Sequence, residues 1–562
     1  MSDPDQTAVE QEAALLAEVN KKPFLKRLGF YAKKSGPGWL QAAITLGGGS
    51  LAGAMYLGVF MGYNMMWLQP LAMILGVIML SAIAYVTLST GDRPFHAIKS
   101  HVSPVLAWAW IIATLMANIV WCMPQFSLGT AAIQQNILGM ETGSTASTVT
   151  ICLVLLVVAF VVNFFYESGA KGIATFELIL KIMVAIVVVS FFGVVTVLSV
   201  KGALDWSAVL SGLVPSPKLL SEPAPTFAPF IEATGEFAGF WKDKMAKDQL
   251  DIIMTAFGTA VGINMTFLLP YSMLRKGWGK DHRQLAIFDL SLGLVLPFVL
   301  ATGCVVISAA SQFHTKFDDV LAADGTVTAS MANDFHAILD QRLSAELGAE
   351  PFKALTPEQL DAARAAAPKA DRELAAMLTK RNNFQLANAL TPLAGETVSQ
   401  KIFGVGVFGM ALSTIIILML INGFTFCEMF GTPGNRFVHL VGCLVAGVAG
   451  FLGPIYIWKN AGPKLAVPTS VIGGSLIPIA YFTFFLLMNS RKTLGDKMPK
   501  GGARLCWNIL MVIATSVATL GTVKVLLSKG TMGMVGIALL GALFVLGVIG
   551  FLANEKKASS HD

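Results

Sequence analysis

GPGWLQAAITLGGGSLAGAMYLGVFMGY, residues 36–63, is apolar and long enough to cross a bilayer as one helix, yet Gly47, Gly48, Gly49 and Ser50 interrupt it at its middle. Free backbone N–H and C=O groups survive at membrane depth only where protein or a water-filled cavity satisfies them. A glycine break there marks a ligand site, and this stretch implies a chain that moves something across a membrane.

Composition agrees and leaves the cargo open. Of 562 residues, 55% are hydrophobic and 13% charged, with mean hydropathy +0.67. Soluble domains carry roughly 25% charged residues, so lipid is the solvent here. The net charge of +6 comes from short basic clusters between apolar runs. That pattern fits loops facing an anionic membrane surface and argues against nucleic acid as a partner. Cys122, Cys152, Cys304, Cys427, Cys443 and Cys506 show no CxxC or Cys/His spacing, so neither disulfides nor zinc is expected. The polar N-terminus places Glu10, Glu12 and Glu18 before Lys21, Lys22, Lys26, Arg27, Lys33 and Lys34, unlike a removable signal peptide.

Hydropathy predicts twelve spans, near 37–61, 65–89, 104–130, 148–166, 173–200, 250–274, 285–311, 403–429, 436–458, 465–490, 504–527 and 532–553. With a cytoplasmic N-terminus, inside segments hold Arg93 and Lys99; Lys171; Arg275, Lys276, Lys280 and Arg283; Arg436; Arg491, Lys492, Lys497, Lys500 and Arg504; and Lys556 and Lys557. Against them stand Lys459, Lys464 and Lys529, while Glu141 is the one charge in the second outside loop. The bias predicts a cell-membrane protein with both termini cytoplasmic.

The expected organisation is a cytoplasmic segment 1–36, spans one to five over 37–200, an extracytoplasmic loop 201–249, and spans six and seven over 250–311. An extracytoplasmic helical insert 312–402 follows, then spans eight to ten over 403–490, spans eleven and twelve over 491–553, and a cytoplasmic tail 554–562. Within the insert, Thr356 is positioned to cap a helix, with Pro357 in the first turn and Gln359 closing a capping box. The insert has no clustered His, Cys or paired acids and reads as a cap or lid.

In span six, FGTAVGINMTFLLPYSML, Gly258, Gly262 and Pro270 are expected to interrupt an apolar helix, with Asn264 the polar side chain nearest its middle. Glycines in membrane helices often serve packing alone. Two such spans offset by five, however, point to an inverted repeat with its site between the breaks.

The stretch from Gly36 to Trp67 resembles the first span of the Nramp divalent-metal transporters, matching at Gly36, Pro37, Gly38, Gly49, Gly58, Gly62, Tyr63 and Trp67. The resemblance extends over the spans, including SRKTLG after span ten, and leaves the insert outside. It implies an all-α multi-pass membrane protein with a leucine-transporter-type fold: a 5+5 inverted repeat with discontinuous spans one and six, and an ion site between them.

The family's usual metal-binding motifs are missing. Its aspartate, proline and asparagine fall on Gly47, Gly48 and Ser50, and its A-x-x-M-P-H signature on Thr259, Gly262, Ile263 and Asn264. A span-ten glutamine falls on Ser470, and Asn118, in MANIVWCMPQF, stands where a span-three glutamate is expected. Every carboxylate, imidazole and sulfur expected at the site is gone, which makes this a divergent member near the Nramp-related magnesium transporters. Without the thioether the chief reason to prefer manganese or iron is lost. Without a carboxylate, a hydrated ion such as magnesium, held through its own waters, fits best.

Half-helix carbonyl ends attract cations while the following N–H groups attract anions, so helix dipoles alone leave the sign of the substrate open. Proton coupling needs a titrating group within the membrane. Glu177 and Lys181 read as a helix-end ion pair, and Asp251, Asp289 and Glu428 sit near span ends. His96, His101, His282, His314, His336 and His561 fall in loops or tails, and His439 opens span nine. The candidate site is Gly47, Gly48, Gly49, Ser50, Thr259, Gly262, Asn264, Asn118 and Ser470. Three readings follow: a carrier of hydrated Mg2+ without proton exchange, a carrier of a small polar organic solute, or a transport-inactive scaffold or sensor. No nucleotide or metalloenzyme motif is present, so neither an enzyme nor a bound cofactor is expected.

Overall fold

The computed structural model describes residues 14–140, 144–457 and 466–559. Glu10, Glu12, Glu141, Lys459, Lys464 and His561 lie outside them, as does the side chain of Lys557. Among the described residues twelve spans are long and apolar enough to cross a membrane: one as Pro37–Thr45 plus Gly48–Met61, two Leu68–Thr90, three Pro104–Ile137, four Thr145–Tyr166, five Ala170–Val200 and six Gly235–Arg275. Seven is Lys280–Phe313, eight Thr397–Met429, nine Arg436–Ile457, ten Ala466–Met488, eleven Gly501–Leu527 and twelve Gly530–Lys556. The count agrees with the hydropathy reading, and an even number places both ends on one face.

Burial grades the spans by role. The most apolar window of span eight is 83% buried and that of span twelve 11%. Span six, at 89%, and span eight are therefore the core posts, span eight packed against spans three, five and nine, while span twelve offers most of its apolar surface to lipid.

Both expected interruptions are present. Span one bends by 55° between its halves. Leu46 (φ −80, ψ 67) leaves the helix, and Gly47 (φ −125, ψ −174) is extended before the second half begins. In span six the first half ends at Ala260 and the second starts at Ile263, with Val261 and Gly262 extended between them. The other interruptions proposed for span six are not breaks. The helix Ile263–Arg275 runs through Pro270. Gly258 lies inside Ala238–Ala260, where an added Cβ would sit 2.9 Å from Gly474 Cα, so it serves close packing.

Three boundaries differ from the sequence reading. Residues 238–249, assigned to the loop, form the outer turns of span six, and span eight starts at Thr397 through a π-helical turn, Thr397–Ile402. Span ten, read as continuous, is divided at Leu476, because Pro478 in the first turn of Ile477–Met488 has no N–H to continue the ladder. The insert contains helices Ala332–Leu347, Ala349–Lys353, Pro357–Ala366, Lys369–Leu378 and Asn383–Ala394. The Thr356–Gln359 capping box forms with both reciprocal bonds. Among the described residues the one strand-like pairing is the bridge Leu321–Val327.

Candidate functional site

The two breaks meet. Thr45, the last residue of the first half of span one, donates its hydroxyl to the carbonyls of Thr259 (2.6 Å) and Ala260 (2.9 Å) at the end of the first half of span six. Beside this junction is a cavity of about 40 Å³ lined by Gly47, Gly49, Ser50, Thr259, Gly262, Asn264 and Ser470. Seven of the nine sequence-predicted site residues are thus brought together.

The other two lie elsewhere. Gly48 turns its N–H to Gln125 Oε1 at 2.8 Å and lines a neighbouring cavity of about 10 Å³ with Asn382 and Asn383 of the insert. Asn118 faces span eight instead of the cavity, its Nδ2 3.5 Å from Asn422 Oδ1, because the residue of span three that reaches the breaks is Trp121, nearly one turn further on.

Sequence reasoning missed Trp121, Gln125, Thr414 and Met265, all of which line the cavity. The signal was present for two: Trp121 and Gln125 lie in MANIVWCMPQF, already singled out for Asn118. Met265 brings a thioether to the lining from a position other than the one where the family's methionine falls.

Why glycine occupies 47 and 262 follows from these newcomers. A Cβ at 47 would lie 2.5 Å from Thr414 Oγ1, and one at 262 would lie 2.7 Å from Trp121 Cη2. Neither residue has a φ that demands glycine. The glycines are there because side chains from spans eight and three fill the space a side chain would need.

The hydroxyls of Ser50, Thr259 and Thr414 share one polarity. A carbonyl only accepts, so each hydroxyl facing one must donate. Ser50 Oγ–H goes to Thr45 O, Thr259 Oγ1–H to Thr255 O (2.7 Å), and Thr414 Oγ1 to Ala43 O (3.3 Å) and Ile44 O (3.5 Å). With their protons committed to main chain, these oxygens have lone pairs to offer. Ser470 Oγ and Trp121 Nε1 are buried without a protein partner. No residue lining the cavity is ionisable, and among the described residues no group of three or more His, Cys, Asp or Glu is placed to hold a metal.

Charged residues gather toward the ends of the spans instead. Asp289 of span seven caps span one, accepting from Gly36 N (3.1 Å), Gly38 N (2.6 Å) and the Ser35 hydroxyl, as a carboxylate does at a helix N-terminus. The expected Glu177–Lys181 pair does not form. Glu177 binds Lys276 at the end of span six at 2.8 Å, and Lys181 donates to Ser35 O at 2.6 Å, because both side chains point at the neighbouring chain entering span one. Glu428 pairs with Arg93 (2.6 Å), while on the opposite, insert side Asp251 pairs with Lys529 (2.8 Å).

Comparison with known proteins matches this architecture. The family model described as natural resistance-associated macrophage protein-like, Nramp, matches residues 38–345 and 371–528. It therefore enters the insert from both sides, leaving out 346–370, and stops before span twelve, unlike the extent read from sequence. Solved structures similar to the chain include the Eremococcus coleocola manganese transporter in complex with an aromatic bis-isothiourea substituted compound, at 14% identity and TM-score 0.61, covering 92% of this chain and 94% of that one. A histidine-to-alanine mutant of that transporter aligns at 14% identity and TM-score 0.62, covering 93% and 94%. No curated protein is significantly similar in sequence. With the broken spans meeting as this fold requires and the family model covering well over half of its length, the chain belongs to the Nramp family and is a multi-pass membrane protein with the leucine-transporter-type fold.

Proposed function

We propose that the protein carries a hard divalent cation, Mg2+ held through its own waters, across the cell membrane down its electrochemical gradient without proton exchange. The observation that carries this reading is the set of hydroxyls at the cavity, Ser50, Thr259 and Thr414, whose protons are committed to carbonyls. Water bound to a cation donates outward, and lone pairs are what it needs.

Gln125 supports the same sign of charge, since its carboxamide oxygen covers Gly48 N–H, a donor that would otherwise favour an anion at the start of the second half-helix. The absence of ionisable side chains from the cavity lining argues against a proton partner. Membership of the Nramp family speaks against an enzymatic role. In this reading both termini are cytoplasmic and the insert is an extracytoplasmic lid.

Proteoliposomes containing a magnesium-sensitive dye are expected to show saturable Mg2+ influx, competed by Mn2+, with no internal acidification. Influx equal to that of empty liposomes removes the proposal, and acidification coupled to influx removes its proton-independent part. Met265→Leu is expected to leave Mg2+ influx unchanged, because a hydrated hard ion does not use a thioether.

A further inference from the structure

The helix Phe24–Lys34 lies just ahead of span one and is not used by the transport site. One face is docked. Tyr31 OH donates to Asn20 Oδ1 (2.5 Å), Asn20 Nδ2 to Asp281 O (3.0 Å), and Arg27 Nη1 to Gln284 Oε1 (2.5 Å). The Tyr31 ring also packs on Phe288, with centroids 5.4 Å apart. These partners belong to the first turns of span seven, and Pro37 opens span one three residues after the helix ends. The helix therefore lies at the level where two spans leave the apolar layer.

Its other face is open and has two parts. Leu25, 79% exposed, and Ala32 form an apolar edge. Lys26 and Lys33 flank that edge, and Lys21 and Lys22 precede the helix, all four exposed and none of their ammonium groups paired among the described residues. No acidic residue occurs from Val19 to Lys34. An apolar edge beside a basic row, at the depth of the headgroups, is the pattern of an interfacial helix on an anionic leaflet.

We propose that the helix Phe24–Lys34, with Lys21 and Lys22, is an anchor that binds the phosphate headgroups of anionic lipid and seats Leu25 and Ala32 at the acyl boundary. Because the docked face bonds to span seven and its chain enters span one, the anchor ties lipid charge to the two spans that close the terminal face.

The test uses full-length protein with Cys506→Ser, removing the exposed native thiol, and a bimane on Ala32→Cys, in nanodiscs. Replacing zwitterionic lipid by about 30 mol % phosphatidylglycerol is expected to lower acrylamide quenching of the dye about twofold. Raising salt to about 0.5 M reverses the drop, because the screening length falls below the headgroup spacing of the contacts. A K21Q/K22Q/K26Q/K33Q variant shows no drop, and its surface positions leave folding intact. Equal quenching in both lipids, an undiminished drop in the variant, or protection by inorganic phosphate in zwitterionic nanodiscs overturns the proposal. None of these readings depends on transport.

Discussion

At Gly47 and Gly262 the deciding quantity is space. Gly47→Ala places a methyl 2.5 Å from Thr414 Oγ1. Overpacking of this kind costs about 1–3 kcal/mol, and removing the Thr414 hydroxyl and methyl relieves most of it. Thermal unfolding is expected to rank Gly47→Ala below the Gly47→Ala/Thr414→Ala pair, a coupling that independent sites would not show. A second residue controls pH response outside the spans. His314 Nδ1 must donate to Val59 O (2.9 Å), so Nε2 accepts from Thr226 (2.8 Å) in the neutral ring, and burial holds the pKa below its ordinary 6.5. A base with a depressed folded pKa takes its proton more readily when unfolded, so this contribution is full above pH 6.5 and lost as pH falls below it. Melting temperature is expected to drop between neutral pH and about 5, and less so in His314→Asn.

At the scale of elements, a break in a membrane helix is stable only if its loose ends find partners. For span one, Gln125 takes Gly48 N–H and Thr45 ties the end of the first half to span six. Gln125→Leu leaves a buried donor unmatched at a cost of about 1–3 kcal/mol. The expected result is a lower melting temperature, with amide exchange accelerated at 47–50 more than elsewhere. The insert is fastened similarly, by Asn383 Nδ2 to Asn136 Oδ1 (2.8 Å) and Asn136 Nδ2 to Gln400 Oε1 (3.1 Å). Asn383→Ala is expected to speed thiol labelling of a cysteine placed at Met55, which lines the small cavity beneath Asn382 and Asn383. Period and polarity along the chain were enough to place twelve spans and both breaks, because apolar length and glycine runs are local signals. Thr414 was not legible as a site residue, since nothing local in span eight says which face meets a glycine far along the chain. The same holds for Glu177, whose local partner Lys181 lost to Lys276, 99 positions along.

Across the whole molecule the terminal face is closed around span one by carboxylates: Asp289 on the start of span one, Glu177 with Lys276, and Glu428 with Arg93. The insert side combines neutral amides with ion pairs of its own, among them Arg381 with Asp319 and Asp251 with Lys529. Alternating access requires span one to part from its neighbours on one face at a time. The terminal closure passes through Gly36, where an added Cβ would collide with Lys276 Nζ and the Glu177 carboxylate. Glu177 and Lys276 are 10% and 24% exposed, so breaking the pair by one substitution strands a mostly buried charge, whereas neutralising both removes the attraction and the stranded charge together. Glu177→Gln alone is therefore expected to destabilise more than Glu177→Gln/Lys276→Gln. Both should raise the labelling rate of a cysteine at Thr414 by an impermeant thiol reagent from the terminal face, and from that face only. Equal labelling from both faces would mean that these ion pairs hold the fold together instead of closing one side of it.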